Sequence, residues 1–186
     1  MQPIRKKGLG DEGKNDYATH SDFCAVFLEH LDRLWLLALL LTGDEVSAEK
    51  CFLEAFESCA AERPVFKEVA VGWCRRSVIK TAIRLMSPAP SDPSSPHFPE
   101  NDINLNRGQD VLLKCVQGLS SFDRFVFVMS VLERYSDREC SVLLGCSFAD
   151  VLPARIRALQ QISRAKKSYP EDGVEAQKYR VDARSA

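Results

Sequence analysis

Between about Asp22 and Leu41 the residues Phe23, Phe27, Leu31, Leu34 and Ala38 fall on one stripe at helical spacing, with Glu29, Asp32 and Arg33 outside it. That pattern predicts a first helix. Gly43-Asp44 breaks it, Asp44 is suited to cap a second helix, and Val46, Phe52, Ala55 and Phe56 recur at helical spacing to about Cys59. A third pattern follows Arg63-Pro64, carries Val69, Trp73, Val78, Ile79, Ala82 and Ile83, and ends before Pro88. Three helices of this length predict a compact helical domain.

Residues 87–107, SPAPSDPSSPHFPENDINLNR, hold five of the nine prolines and few large aliphatic side chains. Proline lacks an amide donor and disfavours helix at the residue before it, so this stretch reads as a stiff, extended linker. Beyond it four shorter helices are expected. Val111, Leu112, Cys115, Val116 and Leu119 mark one; Ser120 or Ser121 opens another with Phe122, Phe125, Val126, Met129 and Leu132. Phe125 to Val128 also suits a strand, but no hairpin turn or second strand accompanies it, so helix is preferred. Ser136-Asp137-Arg138-Glu139 is a capping box, and the helix it opens ends at Gly145, a position suited to a left-handed turn. Ser147-Phe148-Ala149-Asp150 then opens a last helix toward Ser168. Two helices joined across Gly145-Cys146-Ser147, with the small Ser141 at their crossing, meet the requirements of a helix-turn-helix.

The expected fold is therefore all-α: two small helical domains, at 21–86 and 108–168, on either side of the linker at 87–107. The first 20 residues are polar and lack the apolar core of a secretory signal; they and residues 169–186 are expected to be disordered extensions. The longest apolar run, Leu34 to Leu41, is too short to cross a hydrocarbon layer that needs about 20 helical residues. No membrane insertion is expected, and a cytoplasmic location is. The 186 residues carry a formal net charge of −1, which argues against a strongly basic protein coating nucleic acid non-specifically. Charge is nonetheless segregated. Residues 21–62 hold nine acids and two bases, whereas 63–86 set Arg63, Lys67, Arg75, Arg76, Lys80 and Arg84 against the single acid Glu68. Residues 151–170 carry Arg155, Arg157, Arg164, Lys166 and Lys167 with no acid. Such segments suit phosphate, and Trp73 suits base stacking; on composition alone a solvated basic face with a core Trp is the commoner case.

Seven cysteines, an odd number, form no Cys-x-x-Cys pair, and most lie in apolar stretches where they act as small reduced hydrophobes. The three histidines are scattered, and no glycine-rich phosphate loop, nucleophile elbow or His-Glu-x-x-His run is present. No catalytic, cofactor or metal site is expected.

The stretch from Gly118 to Ile162 resembles the C-terminal helix-turn-helix domain of extracytoplasmic-function sigma factors, the small sigma-70-like subunits of bacterial RNA polymerase. The matching features are Leu119 before a short turn, Arg124, Glu133, Ser136, Glu139, Leu144-Gly145, Ser147, Val151 and Arg157-Ala158. Upstream, Leu40-Leu41-Thr42-Gly43-Asp44, Ala48-Glu49 and Glu54-Ala55-Phe56 resemble the same family's region two, and Trp73 and Ile83 stand at the spacing of its promoter-melting helix. The resemblance covers roughly Phe23 to Ser168. It implies a non-enzymatic transcription initiation factor needing no cofactor. Core RNA polymerase would be bound through Asp44, Glu49, Glu54 and Phe56. Promoter DNA would be bound through Trp73, Arg75, Arg76, Lys80 and Arg84, and distally through Ser147, Arg155, Arg157 and Arg164.

The chain also departs from that family. Lys80 stands in place of an Asn, Arg84 of an Asp, and Cys74 of a Leu, changes that add positive charge. After Val151 the family carries side chains that face DNA, but here stand Leu152, Pro153 and Ala154, none of which donates a hydrogen bond. Pro153 inside a helix capped by Ser147 removes one backbone bond and costs about 3 kcal/mol unless the helix starts later or bends. The apolar positions suggest a buried stripe rotated toward Leu152, Ile156 and Leu159, which would turn Arg155 outward. A second function therefore stays open: a sigma-like module that binds polymerase or an anti-sigma partner without reading promoters.

Overall fold

The computed structural model describes residues 16–61, 65–90 and 108–168, and the described residues are all-α. The expected extensions, most of the linker, and Arg63, Lys166 and Lys167 of the basic segments lie outside the described backbone or side chains. The first half comprises α1 (His20–Glu29), α2 (Leu31–Thr42), α3 (Glu45–Ala61), a 3-10 turn (Lys67–Val69) and α4 (Ala70–Met86). The second comprises α5 (Gly108–Gln117), α6 (Ser121–Phe127) running into a π-turn (Val128–Leu132), α7 (Asp137–Leu144) and α8 (Phe148–Ser168). No described helix is long and apolar enough to cross a membrane.

The single helix expected over residues 22–41 is two. His30, at φ −109° and ψ 21°, ends α1 and begins α2, so the stripe changes face there. Phe23 and Phe27 are buried before the break and Leu34, Leu37, Ala38 and Leu41 after it, while Leu31 is left exposed. The first half is consequently a four-helix unit, not a three-helix one. Thr19 and Asp22 form a capping box on α1, and a single antiparallel bridge between Tyr17 and Phe66 ties its approach to the start of α4.

The core stripe of α3 also differs from expectation. Val46 is 79% exposed, and the buried positions are Ala48, Cys51, Ala55 and Cys59, at intervals of three, four and four. They face Ala70, Cys74, Ser77, Val78, Thr81 and Ala82 of α4, which are also buried and mostly small. Small side chains let two helices approach closely, and two cross-helix bonds sit in the seam: Ser77 Oγ donates to the Ala55 carbonyl at 3.1 Å and the Cys51 thiol to the Val78 carbonyl at 3.5 Å. Burial pushes the Cys51 thiol up to about 12, and the hydrogen bond with Cys59 together with burial raises that of Cys74, so these thiols pack as hydrophobes.

In the second half the backbone is helical from Ser121 through Leu132, which settles the helix-or-strand ambiguity in favour of helix, and Phe122, Phe125, Val126, Val128 and Met129 are buried. Ser120 caps α6 and Ser136 caps α7 in the expected box, with Glu139 accepting from the Ser136 amide at 2.8 Å. Gly145 adopts φ 63°, and α8 begins at Phe148. The bundle rests α5 and α6 on α8.

The two halves also meet. Arg124 of α6 is only 7% exposed and inserts at the C-terminal end of α2. Its Nε donates to the Leu41 carbonyl at 3.1 Å and one Nη to the Thr42 carbonyl at 2.9 Å; the other Nη reaches the Gln117 carbonyl at 3.1 Å. A helix end leaves such carbonyls without internal donors, so the guanidinium caps α2 from the opposite half and its charge meets the negative pole of the helix. Gly43, at φ 91°, makes room: a Cβ there would lie 2.8 Å from an Nη of Arg124. Arg75 of α4 adds a second tie, bonding Glu133 at 2.6 and 2.7 Å.

Candidate polymerase and nucleic-acid interface

The four residues expected to dock polymerase have different fates. Asp44 caps α3, its carboxylate accepting the Ser47 amide at 2.8 Å, and that bond holds its pKa below the usual carboxylate value. Phe56 is half-buried, edge-on to Phe27 at 5.1 Å and to His20 at 5.7 Å, so it packs α3 onto α1. Glu54 receives Arg84 and lies 4.0 Å from Lys50. Asp44 and Glu49 are both exposed and without an ion pair among the described residues, and of the two only Glu49 is also without a side-chain hydrogen bond. Flanking it are two apolar side chains not singled out for docking in the sequence, Val46 and Leu53, 79% and 53% exposed. Positions 46, 49, 50 and 53 share one helical face, so the outer surface of α3 offers an apolar pair around one acid and one base.

On α4, Trp73, Arg76, Lys80 and Arg84 recur at three, four and four, the spacing of a single stripe on the side away from the buried Cys74, Ser77 and Val78. Arg76, Lys80 and Arg84 are exposed and Trp73 is half-buried. Lys80 Nζ lies 5.5 Å from the Trp73 ring centroid, and the indole N–H, itself buried, has no acceptor among the described residues. Over eleven residues at 1.5 Å rise the stripe is about 16 Å long. Arg75 lies off this line, about 100° round the helix from Arg76, and Glu133 takes its guanidinium, as Glu54 takes that of Arg84.

Helix α8 departs most from expectation. Its buried stripe is Val151, Ala154 and Ala158, each 0% exposed, continued by half-buried Ile162. The rotated stripe therefore does not form: Leu152, Ile156 and Leu159 are 47%, 46% and 45% exposed, with Phe148 at 61%. Small residues sit at the contact because α5, α6 and α7 all pack on this helix, and the large ones are displaced outward. Arg155 accordingly turns in to Asp137, at 2.5 and 3.2 Å, and Arg157 to buried Asp123, at 2.7 and 3.1 Å. The Asp123 carboxylate raises the pKa of Arg157. Ser147 is spent on the helix start, its hydroxyl accepting the Ala149 amide at 3.2 Å. Pro153 does stand inside the helix, at an exposed position where water can serve the carbonyl it leaves unbonded. From Phe148 to Ser163 the exposed positions are Phe148, Ala149, Leu152, Pro153, Ile156, Leu159, Gln160 and Ser163, with no charged side chain; Arg164 follows.

The pairing of Asp123, Glu133 and Asp137 with these bases had no mark in the sequence, since each lies 18 to 58 residues from the base it holds. No family model matches the chain, and no curated protein is significantly similar to it.

Proposed function

We propose that this protein is a sigma-like transcription initiation factor that docks core RNA polymerase with the outer face of α3 and contacts melted promoter DNA with α4. The carrying observation is the stripe Trp73, Arg76, Lys80 and Arg84: a half-buried aromatic ring followed by three exposed cations at one-turn intervals, of which Arg76 and Lys80 have no acidic partner among the described residues and Arg84 is held by Glu54. Such a surface suits unstacked bases and their phosphates, since stacking tolerates any base and each cation releases counterions. Val46, Glu49 and Leu53 form the separate docking face toward polymerase. The capped helix-turn-helix of α7 and α8 supports the likeness to sigma factors in architecture.

A second reading has its own support. From Phe148 to Ser163 the exposed positions of α8 carry no charge and give little for phosphate or base edges, which favours a module that holds polymerase or an anti-sigma partner without distal promoter reading. The test is fluorescence anisotropy of a forked promoter fragment added to the chain bound to core polymerase. Arg76→Glu with Lys80→Glu should weaken binding at least tenfold, while Leu152→Lys in α8 leaves it unchanged. Equal binding by the charge-reversed variant would remove α4 from the interface, and a complex that never engages DNA would favour the second reading.

A further inference from the structure

We infer that the cleft between the two halves is a binding site for a small amphipathic carboxylate, such as a medium-chain fatty acid. This goes beyond the polymerase and DNA reading and does not depend on it. The cleft has a volume of about 380 Å³, near the lower end of the roughly 300–1,000 Å³ typical of small-molecule sites, and it lies at a seam between helical units where such sites concentrate. Its walls are apolar and come from both halves: Leu37 and Leu40 from α2, Val71 from α4, and Val128 and Leu132 from the π-turn. Val71 and Leu132 are 37% and 42% exposed, so part of this apolar wall stands open to water. The two halves meet without closing over it.

The rim supplies the charge. Arg33, Arg75, Glu133 and His30 line the same cleft, and Glu133 is the one acid among them. Arg75 and Glu133 neutralise each other at 2.6 Å. That leaves the Arg33 guanidinium exposed, with no acidic partner among the described residues. A planar fork of N–H donors at the mouth of an apolar cleft is matched by a carboxylate, which can accept two parallel bonds while its chain lies along the leucines. An alcohol would fill the same walls without that charge-assisted pair. An alkylamine would meet Arg33 as a like charge.

The ligand touches both halves, so its binding favours the arrangement in which Arg75 is held by Glu133 and stabilises the fold in proportion to occupancy. The experiment is calorimetric titration of the full chain with decanoate, decanol and decylamine, each below its aggregation concentration. One decanoate should bind per chain and raise the melting temperature, with decanol and decylamine at least tenfold weaker. Arg33→Gln should weaken decanoate about tenfold and leave decanol unchanged, and Leu132→Gln should weaken both. Both positions are exposed, so neither variant should unfold the chain, and a melting curve of each confirms that. Equal affinity for decanoate and decanol, undiminished decanoate binding by Arg33→Gln, or no saturable binding would overturn the proposal.

Discussion

Arg124 and the two left-handed glycines show how unequal two similar positions can be. Gly43 and Gly145 both have positive φ, at 91° and 63°. A methyl group at Gly145 meets nothing within 4 Å, so Gly145→Ala should cost only the left-handed conformation, about 1 kcal/mol. At Gly43 the same methyl group lies 2.8 Å from a guanidinium that four carbonyls hold in place, so it cannot swing away freely. Gly43→Ala should therefore cost about 2 kcal/mol or more. Arg124→Ala would leave the Leu41 and Thr42 carbonyls without their buried donors and should lose about 3 kcal/mol. Urea denaturation of the three variants tests the order. Arg124 most destabilising and Gly145 least is expected, and equal costs for the two glycines would contradict the close approach.

At the scale of the helix, the caps were legible because their chemistry is local. Ser136 and Glu139 are three residues apart and make the expected reciprocal bonds, and Asp44 caps α3. The carboxyl of Glu139 is held below the usual value by the Ser136 hydroxyl and amide, and that of Asp44 by the Ser47 amide. A carboxylate whose folded pKa is depressed stabilises the protein above its unfolded value near 4 and loses that contribution as the pH falls through the folded one. The melting temperature should therefore drop on acidification from about pH 5 toward pH 3. Ser136→Ala should cost about 1 kcal/mol at neutral pH and show a shallower acid dependence, because Glu139 then has less to lose. An unchanged acid slope would contradict the cap. Buried stripes were harder to read, because α3 and α8 bury alanines and cysteines where neighbours approach closely and leave Val46, Leu152 and Ile156 outside. Size, not hydrophobicity, chose the inward face. The exposed position of the α8 stripe predicts that Leu152→Lys with Ile156→Lys changes stability by less than about 0.5 kcal/mol. A loss of several kcal/mol in thermal melts would mean the stripe is covered.

At the scale of the molecule, the all-α class and the order of helices could be read from periodicity and turn residues, with one helix too few in the first half. The pairing of charges could not, because Arg75 finds Glu133, and Arg157 finds Asp123, only after the chain has folded. Of the cations expected on DNA, Arg75, Arg84, Arg155 and Arg157 are engaged by acids of the same chain, whereas Arg76 and Lys80 on the α4 stripe stay turned to solvent without an acidic partner among the described residues. Releasing one of the engaged cations should be measurable: Glu133→Gln frees Arg75 beside that stripe. Affinity of the chain for single-stranded DNA should rise several-fold, with a log–log salt slope steeper by about 0.7, the value for one added phosphate contact. Anisotropy across a salt series checks this, and an unchanged slope would show that Arg75 does not reach the nucleic acid.

The most direct measurement is run-off transcription by core RNA polymerase reconstituted with this chain on a library of promoter fragments. The account predicts transcripts from defined start sites, lost with Arg76→Glu and Lys80→Glu while polymerase binding persists. Transcripts of undiminished yield from that variant would contradict it, as would a chain that binds polymerase and starts none.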